Sequence, residues 1–233
     1  MLAAGLVASG CSEQHPPPRE PTRPPLVLVL APVLNLSGSE DFDALRVTDL
    51  VASEIQSFPG VQVVPVNRAL GELASHGKLN VESAADAVGL AQALGADGTL
   101  VVAVTEYNPY YPPVVGLVMQ WYQPGGARRT GAARNGSAAE THAMPDRMRL
   151  APRSEMAPVL QVQRVFNAAD QEVVEKIRAY AGRKDRHASP YGWERYVRSQ
   201  ELYVRYCGWS LFKTMYLLDG SGLEAAATAG AES

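Results

Sequence analysis

The most informative stretch for the fold is Leu94-Gly95-Ala96-Asp97-Gly98-Thr99-Leu100-Val101-Val102-Ala103-Val104, because it joins a helix end to an apolar strand through one tight turn. Gly95 is a natural C-terminal stop for a helix that opens at Ser83. The apolar run that follows the turn is typical of a strand buried on both faces. The stretch therefore predicts helices packed against a sheet with a parallel component.

Strand and helix patterns alternate upstream of this stretch, back to residue 26. Leu26–Leu30 is a continuous β-prone run, and Ser37 begins a helical pattern that extends to about Ser57. Val61–Val66 predicts a second strand, in which Pro65 indicates an edge position or the strand end. The first half of the chain is thus expected to fold by strand–helix alternation.

The pattern changes downstream of the stretch. Val114–Tyr122 and Val159–Phe166 are predicted strands, joined by a long loop over residues 124–158 that is expected to be flexible. A final aromatic helix is predicted from about Tyr191 to Leu218. The predicted fold class is α/β, with a mixed sheet, helices on both faces and a long C-terminal aromatic helix. A single domain is expected over residues 26–218, followed by a disordered tail over residues 219–233.

The first residues of the chain predict a membrane anchor. Residues 1–10 are uncharged and apolar or small, and they end at Cys11. This pattern resembles the end of a bacterial lipoprotein signal, so residues 1–10 are interpreted as a signal peptide remnant and Cys11 as a lipidated cysteine. Six prolines in residues 12–25 then predict an extended tether over residues 11–25. The alternative is an ordinary apolar terminus with a buried cysteine.

Composition gives no sign of catalytic, metal or nucleic-acid chemistry. The net charge of −3 provides no reason to expect nucleic acid. Apart from Cys11 the chain has only Cys207, so an intramolecular disulfide is not expected once Cys11 is lipidated. The four histidines are far apart and lack neighbours at metal-ligand spacing. We therefore expect no metal, no cofactor and no enzymatic activity.

Two groups of residues are candidate contact sites. Aromatic residues of the final helix form either part of the core or a docking surface for a partner protein, and these residues are Trp193, Tyr196, Tyr203 and Trp209. Three arginines of the long loop could contact anionic groups, or could simply keep the loop solvated, and these are Arg128, Arg129 and Arg134.

A family resemblance rests on two turns in the first half of the chain. Residues 31–38, Ala-Pro-Val-Leu-Asn-Leu-Ser-Gly, end the first strand, and residues 94–97, Leu-Gly-Ala-Asp, precede the strand of the opening stretch. Residues 26–105 thereby resemble the periplasmic α/β domain shared by the amino-terminal part of TolB, the curli secretion lipoprotein and the lipoprotein activators of penicillin-binding proteins. The resemblance implies a non-enzymatic envelope domain that binds other proteins.

These observations predict a lipid-anchored protein of the cell envelope, at the outer membrane and facing the periplasm. Its expected role is protein binding or scaffolding in envelope assembly, secretion or peptidoglycan synthesis. The alternative is an oligomeric pore subunit of the curli secretion type, in which Val114–Tyr122 and Val159–Phe166 would cross the membrane. The apolar face of Val115, Leu117, Met119 and Trp121 suits such a strand.

Overall fold

The computed structural model describes residues 25–125, 157–185 and 190–219. The predictions for the signal peptide remnant, for Cys11 and nearly all of its tether, for most of the long loop and for all but the first residue of the tail lie outside the described residues.

The described chain forms one six-stranded mixed sheet and the helices that cover it. The strands are β1 (Leu26–Leu30), β2 (Leu34–Asn35), β3 (Val61–Val64), β4 (Gly98–Asn108), β5 (Val114–Tyr122) and β6 (Leu160–Asn167). The helices are α1 (Ala44–Ile55), α2 (Val66–Ser75), α3 (Ala84–Ala93), α4 (Gln171–Lys184), α5 (Arg195–Arg198) and α6 (Gln200–Leu218), with a 3-10 turn at Gly192–Glu194 before α5.

The strand order places the parallel strands at one side of the sheet and the antiparallel strands at the other. The order is β3-β1-β4-β5-β6, and the short β2 also pairs with β4. Strand β1 is parallel to both β3 and β4, whereas β5 and β6 add in antiparallel fashion. Strands β3 and β6 are therefore the two edges.

Alternate residues of the central strands supply two cores, one on each face of the sheet. Leu28 and Leu30 join the larger core, where α1, α4, α5 and α6 pack, and Val29 joins the core covered by α2 and α3. This alternation is the period of two that a strand imposes. The predicted fold class, a mixed sheet with helices on both faces and an aromatic C-terminal helix, is confirmed.

The turn before β4 fixes the position of that strand relative to β1 and β5. The backbone N–H of Val27 donates to Asp97 Oδ2 over 2.9 Å, and the Asp97 N–H donates to the Val27 carbonyl over 2.8 Å. Gly98 is required at the next position, since a Cβ there would lie 2.2 Å from Nε1 of Trp121. The glycine thus allows β5 to place its tryptophan against the start of β4.

Helix α1 begins later than the sequence pattern indicates. The Asn35 side chain accepts from the Ser37 N–H at 3.2 Å and donates to the Ser39 carbonyl at 2.9 Å, so these residues form a turn. Asp43 caps the helix instead, because its carboxylate accepts from the Arg46 N–H over 3.0 Å. The predicted helix start at Ser37 is therefore wrong.

The C-terminal aromatic segment is two helices rather than one. Helix α5 ends at Arg198, and Ser199 has an extended backbone whose side chain accepts from the Leu202 N–H. Ser199 therefore caps a new helix, α6, at the middle of the predicted helix from Tyr191 to Leu218. As a consequence, Trp193 does not lie on the helix that carries Tyr203.

The strands on which the pore alternative depends belong to the domain's own sheet. All of β5 except Val114 is buried, and it lies between β4 and β6. Val115, Leu117 and Met119, which suggested a membrane-facing side, pack in the larger core. No helix within the described residues is both long enough and apolar enough to cross a bilayer.

Candidate partner-binding surface

Two exposed tyrosines occupy the hairpin between β4 and β5. The exposed fractions of Tyr110 and Tyr111 are 69% and 65%. Strand β4 runs parallel to β1, so this hairpin lies at the carboxyl end of the parallel strands. The Pro-rich segment joins the sheet at the opposite end, next to Leu26. The two tyrosines are therefore displayed at the far end of the sheet from the predicted tether.

Local hydrogen bonds fix this hairpin. The Tyr110 N–H donates to Oδ1 of Asn108 over 3.1 Å, which closes an Asx turn at the end of β4. The Tyr110 hydroxyl donates to Oδ2 of Asp41 over 3.3 Å. Both bonds hold Tyr110 in an exposed loop, where packing alone would not order its ring.

An arginine joins the hairpin to the segment before α6. The Arg198 guanidinium lies 5.1 Å from the centre of the Tyr111 ring. Arg198 also lines a shallow cavity of about 450 Å³ together with Tyr191, whose exposed fraction is 76%. Two exposed tyrosines, Tyr111 and Tyr191, thus lie beside one cationic side chain, an arrangement suited to cation–π contacts.

Helix α5, which carries Arg198, is held in place by a partly buried ion pair. Arg195 donates to Oδ1 of Asp185, and the Tyr196 hydroxyl donates to the same oxygen over 2.9 Å. Burial, with the hydrogen bond to Asp185 as a smaller cause, raises the pKa of Tyr196, so its hydroxyl remains a donor at neutral pH. These bonds orient a helix that is too short to be stable alone.

Trp193 extends the same surface onto helix α4. Its ring is half-buried, and the Arg178 guanidinium lies 4.4 Å from the ring centre. Glu194 pairs with Arg198 at 3.8 Å and adds a negative charge beside the arginines. We call the set of Tyr110, Tyr111, Arg178, Tyr191, Trp193 and Arg198 the tyrosine–arginine surface.

Trp209 forms a separate, smaller cation–aromatic site on α6. Arg183 and Lys213 lie 4.8 Å and 5.2 Å from its ring centre. The ring stacks on Phe58 at 6.3 Å and borders a shallow cavity of about 300 Å³. Phe58, Arg183 and Lys213 cover much of this ring, so Trp209 is less accessible to a partner than the exposed tyrosines.

The structure divides the aromatic residues singled out by the sequence. Tyr196 and Tyr203 are buried in the larger core, whereas Trp193 and Trp209 are half-buried at its margin. That Trp193, Tyr196, Tyr203 and Trp209 bind a partner stays a prediction. The three loop arginines, Arg128, Arg129 and Arg134, and the lipid-attachment residue Cys11 lie outside the described residues.

Sequence reasoning missed Tyr110, Tyr111 and the arginines that cover the tryptophans. Lys213 follows Trp209 by four residues on one helix, so that contact was predictable from spacing alone. Arg178 and Trp193 belong to different elements, and no sequence period connects them. The run Tyr110-Tyr111-Pro112-Pro113 was the available signal for an exposed aromatic hairpin.

The tyrosine–arginine surface offers aromatic faces, guanidinium donors and the carboxylates of Glu194 and Asp41. Within residues 25–125, 157–185 and 190–219, no three histidine, cysteine or acidic side chains are grouped so that they could hold a metal ion.

The chain shows weak similarity to several solved structures. One is the lipoprotein GNA1162 of Neisseria meningitidis, with 14% identity, a TM-score of 0.42 and coverage of 71% of this chain and 100% of that one. Another is the hypothetical protein CT253 of Chlamydia trachomatis, with 14% identity, a TM-score of 0.29 and coverage of 42% and 62%.

A third similar structure is the PelC dodecamer of Paraburkholderia phytofirmans, with 18% identity, a TM-score of 0.27 and coverage of 43% and 62%. No protein-family model matches the chain, and no curated protein sequence matches it. The similar structures thus include a bacterial lipoprotein. The particular resemblance to the domain of TolB, the curli secretion lipoprotein and the penicillin-binding-protein activators stays a prediction.

Proposed function

We propose that this chain is a lipid-anchored protein of the cell envelope that binds a partner protein through the tyrosine–arginine surface. In this role it acts as a non-enzymatic scaffold in envelope assembly, secretion or peptidoglycan synthesis. The observation that carries the proposal is that two exposed tyrosines, Tyr111 and Tyr191, lie beside Arg198, with the exposed Tyr110 next to Tyr111 in the same hairpin.

The residue types of this surface favour a protein partner. Tyrosine, tryptophan and arginine are the residues most enriched among those that dominate binding energy at protein interfaces. The surface is also mixed in charge, since Glu194 pairs with Arg198 and Asp41 accepts a hydrogen bond from Tyr110. A mixed surface suits a protein better than a polyanion, for which a continuous run of basic side chains would be expected.

The position of the surface is compatible with anchoring. The tether joins β1 next to Leu26, and β4 extends eleven residues in the same direction before it reaches the hairpin. A strand of this length spans roughly 35 Å at about 3.3 Å per residue. An anchor at Cys11 therefore leaves the tyrosines uncovered and able to meet a partner.

The experiment is site-specific photocrosslinking of the full chain in its native cell. A photoreactive phenylalanine analogue replaces Tyr191 in one sample and Leu79 in the other. Leu79 is a matched control because it is also a highly exposed apolar residue, but it lies in the loop before α3 on the opposite face of the sheet. We expect a discrete crosslinked protein from position 191 and none from position 79.

A charge reversal then links the crosslink to the surface. Arg198→Glu should abolish the crosslink from position 191 while leaving the melting temperature within a few degrees, because Arg198 is exposed and pairs only weakly. Equal crosslinking from positions 191 and 79, or a crosslink that survives Arg198→Glu, would refute the proposed surface.

A further inference from the structure

The two edge strands of the sheet, β3 and β6, differ in whether a side chain bonds to their outward backbone groups. At the β3 edge, the Gln56 side chain accepts from the Val63 N–H over 2.7 Å and donates to the Val61 carbonyl over 3.5 Å. Edge strands present unpaired backbone groups that can pair with another chain, and proteins commonly cover them. Gln56 covers the β3 edge in this way.

Within residues 25–125, 157–185 and 190–219, no strand pairs with the outer edge of β6. The Ala168 N–H bonds to the Pro113 carbonyl at 3.0 Å, in line with the β5–β6 register. Backbone groups alternate in direction along an antiparallel strand, so those of Gln161, Gln163 and Val165 point away from β5. Within the described residues, none of the N–H and C=O groups of these three residues bonds to another element.

The side chains of the same three residues do not protect this edge. Gln161 and Gln163 are exposed, and the exposed fraction of Val165 is 50%. Natural sheet edges usually carry lysine, proline or a bulge that prevents pairing with another strand. Lysine, proline and a bulge are absent between Leu160 and Asn167, and the one charged residue of this strand, Arg164, pairs with Glu172 at 3.6 Å and lies 5.3 Å from the centre of the Phe166 ring.

We propose that β6 pairs with β6 of a second copy of this chain in antiparallel register, across a two-fold axis at Gln163. In this register Gln163 lies opposite the second copy's Gln163, and Gln161 lies opposite the second copy's Val165. The arrangement satisfies the outward N–H and C=O groups of both strands and joins two six-stranded sheets into one.

A second copy fits this edge better than an unrelated strand for two reasons. The outward residues repeat symmetrically about Gln163, so both strands can use all of their free backbone groups at once. The pairs that the two-fold axis brings together on the face of Gln161, Gln163 and Val165 are uncharged. On the other face Arg164 lies opposite the second copy's Val162, and Glu172 of its own chain pairs with Arg164 at 3.6 Å. The contact is independent of the tyrosine–arginine surface, and either can fail without the other.

Two lysine substitutions on the same strand test the register. Gln163→Lys places two lysines directly opposite each other, about 5 Å apart between Cβ atoms. Val165→Lys is the matched control, because it faces the second copy's Gln161 and lies roughly 13 Å from its own symmetry mate. That separation exceeds the screening length at physiological salt, about 8 Å.

The measurement is sedimentation equilibrium of the full chain in solution. The parent should show a mass about twice the 25.0 kDa of one chain. Gln163→Lys should raise the dissociation constant at least about fivefold, and added salt should partly restore the dimer. Val165→Lys should change the dissociation constant less than about twofold.

A proline variant separates loss of pairing from loss of folding. The Gln163 N–H points outward, so Gln163→Pro leaves the β5–β6 ladder intact but removes a donor from the edge. We expect a monomer with a cooperative melting transition. A monomeric parent would overturn the proposal. So would equal effects of the two lysines, or a dimer that persists in the proline variant.

Discussion

Glu54 is a buried carboxylate that ties three helices together. It accepts from the Tyr180 hydroxyl at 2.9 Å and forms ion pairs with Lys184 at 2.7 Å and Arg205 at 3.1 Å. These partners come from α4 and α6, whereas Glu54 belongs to α1. A carboxylate at this depth is tolerated only when it is paired, so the interaction fixes how the helices pack on the sheet.

Neutralising Glu54 should therefore destabilise the domain. Glu54→Gln removes the charge while keeping the side chain's size, and it leaves Lys184 and Arg205 without their shared anion. Breaking a fully buried pair costs about 3–5 kcal/mol, but both cations are about one-third exposed, so we expect about 2 kcal/mol. Urea denaturation measures the change.

The matched control for Glu54→Gln is Asp49→Asn on the same helix. Asp49 is exposed, so its substitution should alter the free energy of unfolding by less than about 0.5 kcal/mol. If the two variants unfold at the same urea concentration, Glu54 does not organise the helices.

Tyr122 should make the fold sensitive to alkali. Its hydroxyl donates to Gln120 Oε1 over 3.1 Å, and burial raises the pKa of Tyr122 from 10.0 to about 12. A raised pKa in the folded state contributes stability that is fully present below pH 10 and is lost as pH rises toward 12. Between pH 10 and pH 12, Tyr122→Phe should therefore lose less free energy of unfolding than the parent, by up to about 2–3 kcal/mol.

The measurement for Tyr122 is urea denaturation below pH 10 and between pH 10 and 12. The parent should lose more stability across this interval than Tyr122→Phe does. Tyr206 also has a pKa raised to about 12 by burial, so the variant should retain part of the alkaline loss. Identical losses in parent and variant would show that Tyr122 ionises freely.

At the scale of elements, Gly208 sets the approach of α6 to α1. A Cβ at this position would lie 3.0 Å from a methyl group of Val51, so the two helices are in close contact here. Gly208→Leu should destabilise the protein by about 1–3 kcal/mol through overpacking. Val51→Ala in the same chain should recover part of that loss, and thermal melting of both single variants and the double variant measures the coupling.

Gly89 is the control for this helix contact. It lies in α3, is exposed, and has no atom within 4 Å of a Cβ built on it. Gly89→Ala should therefore stabilise the protein by about 0.5–1 kcal/mol through helix propensity alone. Additive behaviour of Gly208→Leu and Val51→Ala would contradict the proposed close packing.

Some elements could be predicted from the sequence to the residue, and others could not. Strands β1 and β5 match the predicted Leu26–Leu30 and Val114–Tyr122, because an apolar run bounded by proline or turn residues has few alternatives. The starts of α1 and α6 were misplaced, because Ser37 and Ser199 can each end one segment or begin another. Which serine caps a helix depends on contacts that local sequence does not contain.

The tyrosine–arginine surface was less predictable than the fold. Trp193 was singled out from sequence, but the periodicity that placed it beside Tyr203 assumed one continuous helix. Tertiary packing alone brings Arg178 next to Trp193 and Tyr111 next to Arg198. Long-range contacts of this kind carry no periodic signal, so sequence patterns identified the aromatic residues and not their neighbours.

At the scale of the whole molecule, the predicted anchor and the folded body meet at the amino end of β1. The chain enters the sheet at Leu26, between β3 and β4. An extended tether of about fourteen residues at roughly 3 Å each would allow the body to stand about 40 Å from a membrane. With the predicted lipid on Cys11, such a reach would let the tyrosine–arginine surface and the β6 edge contact other molecules.

The two cysteines of the chain allow lipidation to be tested against an internal control. Cys11→Ala should move the protein from the membrane fraction to the soluble fraction and abolish incorporation of labelled palmitate. Cys207→Ala should leave both unchanged, because Cys207 is buried in the core, where burial raises the pKa of its thiol and excludes an acyl donor. Each buried methylene contributes about 0.8 kcal/mol to anchoring, so loss of the chains should release the protein completely. Palmitate that remains on Cys11→Ala, or an intact mass of the native protein without added lipid, would refute the anchor and with it the proposed place of this domain in the envelope.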